Sequence, residues 1–326
     1  MKRSVRYLLI IAVLLAALSR TAAQEKRPGD QELRILQQRA QQLEAAGRLD
    51  QAGELYSRVA RILPPPQNLN AYAGARRCFE RSKDLAGWEA LIHDLQTRQR
   101  ALPFQVDLAE IAYLRGDRAE ALRTWRAVID DNPQEEQAYK LTGAVLLKYY
   151  LYDEAESLYL RGRKAFKDPQ RFFFELVHLY QDQGAFARMT EEYLNYLQKN
   201  AGQLGYVQAQ LLSAGDEPEA VRQIAGSIER EMKSSADFRL PGCQLLGSLY
   251  TQSRDYRLAL QCYEELEEAA RRKNPAEVGQ YYYTFAMAAM SDGALSEARR
   301  ALEALVQQAG PRSPHRVHAA FALARL

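Results

Sequence analysis

The sequence predicts an all-α chain, a solenoid of about eight helical hairpins followed by one terminal helix. Three observations lead there. A column of small residues returns at near-constant spacing: Ala52, Ala86, Ala121, Ala155, Met189, Ala220, Ala259 and Ala298, separated by 34, 35, 34, 34, 31, 39 and 39 residues. A period in this range marks stacked copies of one supersecondary unit. Within each period, two apolar stripes at helical spacing flank a short break. Glycine marks that break (Gly47, Gly116, Gly184, Gly215, Gly293), and proline marks the end of the unit (Pro64, Pro133, Pro169, Pro275, Pro311).

The chain opens on a different pattern. Lys2, Arg3 and Arg6 precede an unbroken apolar stretch, 8–18, and the small residues Thr21, Ala22 and Ala23 then offer a cleavage site before Gln24. That order of basic, apolar and small residues reads as a secretory signal peptide over 1–23. The apolar stretch is shorter than the ~20 residues of a membrane span. No cysteine follows it before Cys78, which argues against a lipid anchor. The expectation is an exported chain, periplasmic or otherwise in a bacterial cell envelope, with no stable membrane span after cleavage. None of the six asparagines begins an Asn-x-Ser/Thr acceptor, so one mark of a eukaryotic secreted protein is missing.

A polar linker, 24–32, leads into the repeats. Units begin near Leu33, Gln67, Leu102, Glu136, Gln170, Ala201, Leu240 and Gly279. The third is the clearest. Val106, Ala109, Ala112 and Tyr113 form one stripe, Gly116-Asp117 breaks it, and Ala119, Ala121, Leu122, Trp125, Val128 and Ile129 form the next. Two stripes joined by so short a turn make an antiparallel hairpin. Small residues belong where its helices touch, since a larger side chain would force the backbones apart. A second small column, Ala40, Gly74, Ala109, Gly143, Gly247 and Ala286, fits the same crossing. An aromatic one turn beyond the first column (Tyr56, Trp125, Tyr159, Tyr193, Tyr263) is expected between successive hairpins.

Units one to six span 33–239, with 201–239 irregular because Gly202, Gly205 and Gly215 weaken its first helix. A nine-residue break, 234–242, is expected to act as a hinge before units seven and eight at 240–312. The terminal helix, 313–326, starts at Ser313-Pro314. Val317, Ala320 and Phe321 are expected to pack on the eighth hairpin, while Phe321, Leu323 and Leu326 make this helix unusually apolar for a solvent-facing cap. It is therefore expected to dock against a partner or a second copy.

At these residues the chain resembles the tetratricopeptide repeat family, whose pattern is a 34-residue helix–turn–helix with small residues at the crossing and a closing proline. The resemblance implies a right-handed superhelix whose first helices line a concave groove for a polypeptide. It places Val106, Glu110, Tyr113, Lys140, Leu147, Phe174, His178 and Gln181 on that face, then Gln244, Ser248, Thr251, Tyr283, Met287 and Met290. A subclass of the family clamps a partner's terminal carboxylate with Lys and Asn. Here Lys140 is followed by Ala144 and Glu175 on the matching faces, so that clamp is not expected.

Composition narrows the rest. The precursor carries +3, and loss of Lys2, Arg3, Arg6 and Arg20 leaves −1, which gives no electrostatic footprint for nucleic acid. The four histidines build no H-E-x-x-H motif, and His315 with His318 has no local third ligand for a metal. No nucleophile elbow or phosphate loop occurs. No catalytic residue, cofactor or metal is expected. The reading is a non-enzymatic protein–protein interaction scaffold. The alternatives are an RNA-binding repeat of pentatricopeptide type, or an enzyme accessory subunit. Of the three cysteines, Cys243 and Cys262 lie on one expected hairpin, either as a bridge or as two small buried thiols.

Overall fold

Seventeen α-helices and one 3-10 turn make up the regular structure of the described residues, and no strand occurs among them. The computed structural model describes residues 29–274, 278–310 and 313–326. The expected leader, most of the linker, Pro275 and Pro311 lie outside these residues. The chain is an all-α helical repeat, and its contacts divide it into two compact units that meet between Thr142 and Gly143.

The first unit holds α1 (Asp30–Ala45), α2 (Leu49–Ile62), α3 (Asn68–Ser82), α4 (Leu85–Gln96), α5 (Leu102–Leu114) and α6 (Arg118–Asp131). The boundary falls within α7 (Glu136–Lys148). The second holds α8 (Tyr152–Phe166), α9 (Phe173–Asp182), α10 (Phe186–Lys199), α11 (Leu204–Ala214), α12 (Pro218–Ser234), α13 (Arg239–Gln252), α14 (Tyr256–Lys273), α15 (Gln280–Ser291), α16 (Leu295–Gln308) and α17 (Pro314–Leu323). Each helix packs on the next in most of the array, and first helices also touch first helices (α11 on α13, α13 on α15). In the sixth hairpin, α11 packs on α10 and α13, and α12 on the same two.

The repeat is most regular in its backbone. Seven of the turns within hairpins close with an N–H to C=O bond reaching five residues back: Arg48 to Leu43, Asp84 to Phe79, Asp117 to Ala112, Leu151 to Leu146, Ala185 to Tyr180, Asp255 to Tyr250 and Ala294 to Ala289. This is the Schellman closure, which needs a left-handed residue just before the donor. Gly47, Gly116, Gly184 and Gly293 supply it, but so do Lys83, Tyr150 and Arg254, with φ of 62°, 58° and 63°. Gly215 does not: its φ is −89°, so the sixth turn is of another kind. Asp84, Asp117 and Asp255 then cap the second helix by accepting an N–H three residues on.

These turns also correct the register. In six hairpins the crossing residue is the fourth of the second helix, and its N–H bonds the cap carbonyl: Ala52 to Arg48, Ala121 to Asp117, Ala155 to Leu151, Met189 to Ala185, Ala259 to Asp255 and Ala298 to Ala294. In the second hairpin that position is Trp88, which bonds Asp84, while Ala86 is exposed. Trp88 is fully buried within the core of the first unit, among Tyr72, Ala75, Leu91 and Phe104.

The second small column is a set of close approaches. A Cβ on Gly74 would lie 2.7 Å from the Tyr56 ring, and one on Gly247 3.0 Å from Tyr263. One on Gly143 would run into the Tyr159 ring and hydroxyl. The aromatics thus serve two contacts. Tyr159 and Tyr263 press on their own first helix and also meet the following hairpin, with centroids 5.4 Å from Phe172 and 5.5 Å from Phe285.

The expected break at 234–242 shrinks to the four residues between α12 and α13. Pro241 sits in the first turn of α13, where a missing N–H costs nothing, and bare Gly242 admits the Met232 side chain. On α17 the packing face is rotated from the expected one. Ala319 and Ala322 are buried, whereas Val317, Ala320 and Phe321 are exposed, Phe321 by 68%.

Candidate polypeptide-binding surface

Recognition of a polypeptide needs side chains that are exposed, held in place and chemically mixed. In the first unit two candidates fail the first requirement. Val106 is 2% exposed, and its carbonyl accepts the Trp125 indole N–H at 3.1 Å. Glu110 is 0% exposed and takes the Arg76 guanidinium at 2.8 Å. Both belong to the interior, which corrects their expected place on the groove. The cause lies in α5 itself: LPFQVDLAEIAYL is apolar nearly all round, so neighbours cover most of its faces. Tyr113 is half-buried with its ring 5.9 Å from Trp125. Lys140 is exposed, with Nζ 2.6 Å from Glu136.

The interior of this unit holds a polar cluster instead. Tyr72 donates to buried Asp107 and accepts the Trp88 indole N–H at 3.0 Å. Arg76 spans Asp107 at 3.3 Å and Glu110 at 2.8 Å, with its guanidinium 5.7 Å from the Trp88 ring centre. Burial, then the Asp107 charge, lift the Tyr72 hydroxyl well above its ordinary pKa. Burial alone would lower Arg76, but the two carboxylates raise it. The cluster joins α3 and α4 to α5 through buried Tyr72, Trp88, Asp107 and Glu110, bridged by half-buried Arg76.

The second unit carries the remaining candidates. Phe174, His178 and Gln181 form an exposed stripe on α9, with Phe174 exposed by 58% although its ring meets buried Phe173 at 5.0 Å. On α11 and α13 a polar strip is already ordered: Gln208 donates to Ser248 at 2.8 Å and accepts from Gln244 at 3.3 Å. Thr251 turns its hydroxyl back to the Gly247 carbonyl at 2.6 Å. Leu147, Met287 and Met290 are half-buried. Tyr283 is half-buried between His315 and His318, at 5.9 and 6.0 Å. Leu323 and Leu326 are half-buried as well. The structure therefore brings Gln244 and Ser248 together in one strip and Phe174, His178 and Gln181 in one stripe.

With this geometry in place, solved structures offer a comparison. The likeness is to tetratricopeptide repeat structures. A tetratricopeptide repeat protein from Parabacteroides merdae is similar at 13% identity over 90% of this chain and 98% of its own, with a TM-score of 0.32. Yeast Tom70 is similar at 16% identity over 85% of this chain, with a TM-score of 0.31, and the match spans 59% of Tom70. The C-terminal part of a TPR repeat-containing protein from Cytophaga hutchinsonii gives 14% identity over 87% of this chain and 98% of its own, at 0.29. No protein-family model and no curated protein matches the sequence.

Sequence reasoning missed Gln208 and the Tyr72–Arg76–Asp107 cluster. The cluster had a signal: Asp107 and Glu110 are spaced i, i+3 inside an otherwise apolar helix, which demands partners. Among the described residues no group of three or more His, Cys, Asp or Glu is placed to hold a metal ion, and no helix is long and apolar enough to cross a membrane.

Proposed function

We propose that this chain is a non-enzymatic interaction scaffold that binds a polypeptide on the first helices of its second unit, in an exported bacterial envelope assembly. The observation that carries the reading is the α9 stripe, where an aromatic, a histidine and an amide stand exposed on one helix face. Phe174 gives apolar area at small entropic cost, and His178 and Gln181 give hydrogen bonds beside it. The Gln208–Gln244–Ser248 strip adds preformed donors and acceptors suited to a main chain. The envelope setting rests on the basic, apolar and small residues of 1–23.

The test is selection of peptides on the purified chain, followed by Phe174→Ala with His178→Ala. Binding should weaken by at least about tenfold, as for a hot-spot pair, while thermal unfolding stays in place. Unchanged affinity in the double variant would remove the α9 stripe from the reading.

A further inference from the structure

Two of the three cysteines lie on the seventh hairpin, one on each of its helices. Cys243, on α13, is 1% exposed, and half-buried Cys262 lies on α14, one helical turn before Glu265. Cys243 Sγ also lies 3.5 Å from Glu265 Oε2, to which it donates. Arg239 grips that carboxylate from two nitrogens, at 2.8 and 2.9 Å. Cys78, fully buried in the first unit, is remote from this arrangement in sequence and in unit.

We propose that Cys243 and Cys262 form a dithiol–disulfide couple, a cross-link site that ties α13 to α14 by exchange with a small-molecule disulfide. The steps follow from the surroundings of each sulfur. Cys262 is the more accessible, and the hydrogen bond with Cys243 lowers its thiol pKa, against the effect of burial. Its thiolate attacks one sulfur of the oxidant, the oxidant's S–S bond breaks, and one thiolate leaves. Cys243 is held as a thiol by that same hydrogen bond, by burial and by the Glu265 charge. Once Cys262 is in the mixed disulfide, Cys243 passes its proton towards Glu265 and attacks the Cys262 sulfur, expelling the second thiolate. Two electrons pass from the cysteine pair to the oxidant, and two protons end on the oxidant's sulfurs. The cross-link needs no large helix movement, because Cys243 Sγ already reaches α14 at Glu265, one helical turn from Cys262. Cys243 adjoins Gln244, so oxidation pins the helix that carries the polar strip. The couple does not depend on polypeptide binding.

The experiment uses the full chain carrying Cys78→Ser, equilibrated with glutathione and glutathione disulfide, quenched with an alkylating agent and weighed intact. Both remaining thiols should disappear together, and digestion should return a linked Cys243–Cys262 peptide pair. The closure constant should exceed that of the urea-unfolded chain by at least about tenfold, because folding has already brought the ends together. Equal closure in the folded and unfolded chains, or glutathione adducts that accumulate without ring closure, would overturn the proposal. Cys243→Ser should leave a stable glutathione adduct on Cys262, and Cys262→Ser should leave Cys243 unmodified. The reverse pattern would sink the assignment of attacker and resolver.

Discussion

Trp88 stands where the other hairpins place alanine or methionine, and no unit in that part of the chain is interchangeable with its neighbours. Its indole is fully buried and donates to Tyr72, so Trp88→Ala opens a cavity and removes one of the two hydrogen bonds of that hydroxyl. Urea unfolding should show a loss of about 3–5 kcal/mol. Ala86→Leu, on exposed surface, should stay within about 0.5 kcal/mol. Ala121→Leu tests the crossing itself: Ala121 is fully buried, and overpacking there should cost about 1–3 kcal/mol. Ala52, Ala121, Ala155, Ala259 and Ala298 were legible from spacing alone. Trp88 was not, because Lys83 fills the left-handed turn position without looking like a turn residue, and the spacing then slid to the nearest alanine.

Hairpins were legible where glycine made the turn, and the sixth closes by a turn of another kind. Its break was overestimated because proline and glycine at 241–242 punctuate most sequences, whereas here they sit inside α13. The close approaches give an ordered test. Gly143→Ala and Gly74→Ala meet aromatic rings and should each destabilise by about 1–3 kcal/mol, with Gly247→Ala, at 3.0 Å, costing less. Gly226→Ala, in the middle of α12 with nothing within 4 Å of the added methyl, should stabilise by about 1 kcal/mol. If Gly226 and Gly143 respond alike in chemical denaturation, the packing difference between them is not what decides. Lys83→Gly removes the side chain from a left-handed residue and should raise stability by up to about 1 kcal/mol, read as a shift in urea midpoint.

Across the whole molecule, buried tyrosines set the alkaline limit. Burial raises the Tyr56, Tyr193 and Tyr256 hydroxyls to about 12, helped by Glu44, Tyr206 and Asp292 respectively. An unfolded tyrosine ionises near 10. The folded chain therefore holds these protons more tightly, so the stability they contribute is complete below pH 10 and is lost as pH rises towards 12. Tyrosinate absorbance and helical circular dichroism should change together in that window. Full tyrosine ionisation near pH 10 with helix intact would contradict it. The candidate surface was legible only in part. The exposure of Phe174, His178 and Gln181 was legible because α9 is amphipathic, with a clear outer face. Val106 and Glu110 were misplaced because α5 offers no contrast between faces, and only packing decides which of its side chains meets water.

The polar contacts between hairpins make their order directional. Glu44 bonds Arg77 across the first junction, Tyr72 and Arg76 meet Asp107 and Glu110 across the second, Glu156 takes Tyr180 and Arg188, and Glu267 accepts the N–H groups of Gly279 and Tyr282. Each of these four junctions has its own key, with donor and acceptor in a different place. The backbone repeats, yet the units do not commute. Swapping two of them would bury a carboxylate opposite the wrong neighbour, and cutting after the second hairpin would strand Arg76 from both of its acids. This array is a sentence with fixed word order, although every word has the same length.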